Sequence, residues 1–77
     1  MRANRSYRLL HTRGGLTPGR WADPGRFDQI EVVEVASGET ILHWDVPSRE
    51  ARALLRELRA DLASLDETDF AERWGAR

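Results

Sequence analysis

Histidine is the side chain that most readily serves as acid, base or metal ligand near neutral pH, and this 77-residue sequence has two, His11 and His43. His43 and Asp45 alternate onto one face of a β-branched run, and Glu31 is expected across from His43 on a neighbouring strand. With His11 close by, two imidazoles and a carboxylate would form a donor set of the kind that zinc or another divalent metal takes. The recognised ligand spacings are absent, and a His facing a Glu across two strands is ordinarily a surface pair. No metal residue is therefore assigned.

The nucleophile inventory is equally short. There is no cysteine, which removes a thiolate nucleophile, a thiolate zinc site, an iron–sulfur cluster and a disulfide scaffold. Of the serines, Ser37 falls in a turn and Ser48 at a helix start, and none lies in a nucleophile-elbow context. Asp66, Glu67 and Asp69 read as capping residues rather than as a general acid and base. Gly14-Gly15 has no phosphate-binding lysine after it, because the chain contains no Lys. A chain of this length is also expected to lack room for a substrate pocket of about 300 Å³ without a partner. No catalytic and no cofactor-binding residue is assigned, and the expectation is a protein that is not an enzyme.

All twelve cationic residues are Arg, each a permanently charged planar fork suited to bidentate carboxylate or phosphate contacts. The net charge of −1 conceals their placement. Residues 1–26 carry six Arg and one acid, net +5, and residues 27–77 carry six Arg and twelve acids, net −6. A basic segment on an acidic body can fold back on itself, dock on a second copy, or bind another acidic partner.

The elements follow from periodicity. Residues 6–12 read as a first strand, and residues 14–26 as a loop with several Gly and Pro turn signals. Residues 27–35 and 40–46 are β-branched strands joined by a hairpin turn at Ala36-Ser37-Gly38. That turn pairs Val35 with Glu39 and sets Val32 opposite Leu42 and Ile30 opposite Trp44, which keeps one face apolar. The other face then carries Val33 opposite Ile41. Pro47 stops the strand, and Ser48 is expected as the N-cap of a helix. Ala51, Leu54, Leu55, Leu58, Leu62 and Leu65 form its apolar stripe. Asp66 begins a short terminal helix on which Phe70 and Trp74 share a face and which Gly75 ends.

The expected fold is a small two-layer α+β domain: an antiparallel sheet of two or three strands on one long helix, plus a short C-terminal helix. Residues 1–26 are a basic segment carrying the first strand and the loop, and residues 27–77 the hairpin–helix core. On the long helix, Arg49, Arg52, Arg56 and Arg59 fall on one flank, and Glu50, Glu57 and Asp61 on the other. Arg52, Arg56 and Arg59 have no acid three or four positions away, so something outside the helix is expected to offset their repulsion.

The longest apolar run is three residues, too short for a signal sequence or a membrane span, so a cytoplasmic protein is expected. These features favour a non-enzymatic protein-interaction or regulatory module that pairs with itself as a homodimer or with another protein. Its contact surface would comprise Trp21, Val33, Ile41, Arg49, Arg52, Arg56 and Arg59. Nucleic-acid binding through the basic segment and the helix Arg flank is the alternative, weakened by the acids on the same helix.

Overall fold

The computed structural model describes residues 2–14 and 26–76. Six elements run in the order α1 (Ala3–Ser6), β1 (Tyr7–Thr12), β2 (Phe27–Glu34), β3 (Thr40–Pro47), α2 (Ser48–Ser64) and α3 (Glu67–Trp74). The three strands form one antiparallel sheet in the order β1-β2-β3, with the long helix α2 and the short C-terminal helix α3 completing a small α+β domain.

Strand β2 is central because its apolar residues fall two apart. Ile30 and Val32 are fully buried, and the alternation places Gln29, Glu31 and Val33 on the opposite face. Their neighbours continue the inner row. Leu9 lies beside Val32 and His11 beside Ile30 on β1, and Leu42 and Trp44 flank the same two residues on β3. The register expected around Ile30, Val32, Leu42 and Trp44 is the one observed.

Nearer the turn, the hairpin departs from expectation. The chain reverses over Val35-Ala36-Ser37-Gly38, with Glu34 rather than Val35 bonded to Glu39 (N–H to carbonyl, 2.8 Å). Gly38 closes it at φ 74°, a conformation that a residue without Cβ adopts at little cost. The longer turn requires an irregularity between Val32 and Val33, so Val33 faces Thr40 and not Ile41. Ile41 is half-buried and packs against the core, which removes it from the solvent-facing patch expected with Val33.

Helix α2 lays Ala51, Leu55, Leu58 and Leu62 on the sheet, at spacings that keep them on one face. Its expected serine cap is not formed. Pro47 occupies the cap position and makes no side-chain cap bond, while Ser48 is the first helical residue. The helix ends at Ser64, and Leu65 turns out of it in extended conformation. Helix α3 starts as expected: the Asp66 carboxylate accepts the Asp69 backbone N–H at 2.9 Å, and Gly75 ends it at φ 71°. Phe70 is fully buried, its ring 5.4 Å from that of Tyr7, and Trp74 meets Trp44 edge-on at 5.6 Å.

The N-terminal residues are built into this body. Ala3 is fully buried and its N–H donates to the Leu65 carbonyl at 2.9 Å. Arg2 Nη1 donates to the Ala63 and Ser64 carbonyls at 3.3 and 3.1 Å, at the otherwise unsatisfied C-terminal end of α2. No helix is long and apolar enough to cross a membrane among the described residues.

Candidate functional site

The inner row of β2 does not stop at Ile30. Two residues earlier the same alternation brings Asp28 into the interior, 5% exposed, at the end of the sheet where α2 begins. A carboxylate so placed must be fully bonded, because losing water without compensation is costly. Its donors come from three parts of the chain. Ser48 Oγ, at the start of α2, donates to Oδ1 at 2.5 Å. The Gly14 N–H, just past β1, donates to the same oxygen at 3.3 Å, and His11 Nε2 on β1 lies 2.7 Å from Oδ2.

These bonds favour the charged carboxylate. The Ser48 hydroxyl and then the His11 ring lower the Asp28 pKa to about 2, outweighing the opposing effect of burial. An ionised carboxylate can only accept, so His11 Nε2 carries the hydrogen between them. Ser48 Oγ in turn accepts from Arg26 Nε at 3.2 Å, and the Ser48 N–H donates to the Arg26 carbonyl at 3.1 Å.

Serine, histidine and aspartate are thus in one hydrogen-bonded group, in an order that does not suit nucleophilic catalysis. A charge-stabilised base requires the imidazole between hydroxyl and carboxylate. Here Asp28 stands between Ser48 and His11, and the serine proton is directed at a carboxylate that holds a proton poorly at neutral pH. The group ties three elements together and holds the wall of a cavity.

That cavity has a volume of about 450 Å³ and is open to solvent, larger than the chain length suggested. Four guanidinium side chains line it: Arg13 and Arg26 from the segments flanking β1 and β2, and Arg52 and Arg59 from α2. Among the described residues Asp28 is the one carboxylate that lines it, and Ala51 and Leu55 of the helix also border it. Arg13, Arg52 and Arg59 make no side-chain hydrogen bond or ion pair within the described residues.

The residues singled out from sequence are divided by the fold. Arg52 and Arg59 reach the cavity, whereas Arg49 and Arg56 are exposed on α2 outside its lining. Val33 is half-buried on the outer sheet face, Ile41 is half-buried against the core, and Trp21 lies outside the described residues. His11 and His43 are on opposite faces of the sheet. Glu31 does face His43 as expected, and His43 Nε2 lies 3.7 Å from Asp45 Oδ1 at the surface. No group of three His, Cys, Asp or Glu able to hold a metal is found among the described residues.

Asp28 is not among the residues the sequence singles out, and Arg13 and Arg26 figure there only as part of the basic segment. The signal for Asp28 was present: counting back by two from Val32 through Ile30 reaches it. No family model, curated protein or solved structure matches the chain.

Proposed function

We propose that this protein is a small non-enzymatic interaction module, with the arginine flank of α2 as its contact surface and a second copy of the chain as its partner. The observation that carries this reading is the unequal fate of the two flanks of α2. On the acidic flank, Arg73 of α3 engages Glu57 at 3.4 Å and Asp61 at 2.8 Å. On the basic flank, Arg49, Arg52, Arg56 and Arg59 find no carboxylate among the described residues.

The chain also carries the complement of that flank. Asp69 and Glu72 on α3 are exposed and have no cationic partner among the described residues. Unpaired charges of both signs that do not meet within one molecule can meet between two, and twofold pairing is the commonest way for a small chain to bury more surface.

Sedimentation equilibrium tests this directly. The expected mass is near twice 8.8 kDa at low ionic strength, falling towards 8.8 kDa as salt screens the contacts. Arg49→Glu with Arg56→Glu should remain monomeric. A wild-type mass of 8.8 kDa across a wide concentration range at low salt overturns the reading. Binding to duplex or single-stranded nucleic acid that weakens steeply with salt would assign the same flank to phosphates instead.

A further inference from the structure

We infer that the cleft between the β1–β2 end of the sheet and the first turns of α2 is a binding site for a small phosphomonoester. The inference goes beyond self-association and does not rest on it: Arg52 and Arg59 belong to both surfaces, but Arg13, Arg26 and the recess itself play no part in that reading.

Charge comes first. Among the described residues, four guanidinium groups line the cavity with one carboxylate, Asp28, an excess of three positive charges. Asp28 cannot neutralise them. It brings one charge against four, and its Oδ1 is engaged by Ser48 and Gly14 and its Oδ2 by His11. Arg26 donates Nε to Ser48, and its terminal nitrogens have no partner among the described residues. A concave surface with several unpaired donors of one sign is electrostatically incomplete without an anion.

The donors also discriminate among anions. A guanidinium offers two parallel N–H groups that match two oxygens of one phosphate or carboxylate. A carboxylate brings one charge and two oxygens. A phosphomonoester brings about −1.5 to −2 at neutral pH and three terminal oxygens, closer to what four arginines supply. A phosphodiester in nucleic acid brings one charge per group and lies along a surface, with no need of a recess.

The cavity has space beyond the anion itself. About 450 Å³ falls in the range of small-molecule sites, so an organic body can enter with the phosphate, although Ala51 and Leu55, both buried, add little apolar surface. Bound there, the phosphate would bridge α2 to the segments that flank β1 and β2, the three parts that Asp28 already joins.

Titration calorimetry of the full chain at fixed ionic strength, with inorganic phosphate and phenyl phosphate as probes, tests the proposal. Saturable binding of both is expected, tighter for phenyl phosphate. Arg52→Gln and Arg59→Gln should each weaken it by about tenfold or more, the effect of losing one charged hydrogen-bonding partner. Neither side chain has a hydrogen-bond or ion-pair partner among the described residues, so its removal leaves the bonds seen there intact. Arg8→Gln, on the outer sheet face, removes the same charge away from the cleft and should change affinity less than twofold. Absence of saturable binding overturns the proposal, as does an equal loss in all three variants, which would show a general charge effect. Tighter binding of a single-stranded oligonucleotide than of phenyl phosphate would replace it with surface recognition of a phosphodiester backbone. Phosphate binding by a chain that stays monomeric upholds this inference while the self-association reading fails.

Discussion

Ser48 Oγ donates to Asp28 Oδ1 at 2.5 Å, joining the first residue of α2 to the buried end of β2. The same hydroxyl accepts from Arg26, so one small side chain connects the floor of the cleft to one of its guanidinium walls. Ser48 does not cap its helix because it is already the first helical residue, with Pro47 at the cap position. Its proton goes to the Asp28 carboxylate and its oxygen accepts from Arg26, so both its donor and an acceptor position serve the cleft.

The Asp28 cluster should make stability fall in acid. Asp28 has a folded pKa of about 2, below the ordinary 3.8, so the folded state binds the proton less well than the unfolded chain does. The stabilisation is complete above the ordinary value and disappears as pH falls from about 4 towards 2. Its size is roughly 2 kcal/mol. Chemical denaturation of wild type and Asp28→Asn at neutral pH and at about pH 2.5 isolates it, since other carboxylates titrate in both. The gap between the two proteins should be wide at neutral pH and narrow in acid. A gap that does not change with pH contradicts the assignment.

Gly14 is fixed by a close approach. A Cβ built on it would lie 1.6 Å from the Phe27 carbonyl oxygen, and backbone cannot swing aside as a side chain can. Gly14→Ala must therefore push β1 and β2 apart where the Gly14 N–H meets Asp28. A loss of roughly 1–3 kcal/mol is expected, read as a lower denaturation midpoint together with faster amide exchange at the Thr12–Gln29 end of the ladder. An unchanged midpoint would mean that residues 13 and 14 can take another path.

Much of the fold could be read from residue spacing. The apolar alternation of β2 and β3 fixed which residues face each other, since a one-residue slip would have exposed Ile30 and Val32. The three- and four-residue spacing of Ala51, Leu55, Leu58 and Leu62 marked the buried face of α2 in the same way. The hairpin loop is one residue longer than its turn signal implies, because Gly38 suits several turn lengths and the irregularity beside Val33 leaves no mark in the sequence. The cleft was hidden for a different reason. It depends on Arg13, Arg26, Arg52 and Arg59 converging from separate segments, and on a carboxylate occupying a row position where an apolar residue is the ordinary expectation. Helix geometry grouped Arg49 and Arg56 with Arg52 and Arg59, whereas only tertiary packing separates them.

Arg2 should act as a cap for α2 from the far end of the sequence. Its Nη1 donates to the carbonyls of Ala63 and Ser64, where the helix dipole is negative, and α2 has no basic residue of its own in its last turn. Arg2→Ala is expected to lower stability by about 0.5–1 kcal/mol, less at high salt, and Arg2→Glu by more. The salt dependence is the discriminating measurement. Equal losses at low and high salt would assign Arg2 a packing role.

Asp61 secures α3 through two donors on one oxygen. Oδ2 accepts from Trp74 Nε1 at 3.0 Å and from Arg73 Nε at 2.8 Å, and the Asp61 side chain is only 15% exposed. Asp61→Ala leaves the indole N–H and the guanidinium without that acceptor and should lower stability by roughly 1–3 kcal/mol. Asp61→Asn keeps an oxygen for the indole and should cost less. Trp74→Phe keeps a ring against Trp44 but removes the N–H donor, so combining it with Asp61→Ala should give less than the sum of the two single losses. Denaturant midpoints for the four proteins complete the cycle, and strict additivity would show that the indole–carboxylate bond does not hold α3 in place.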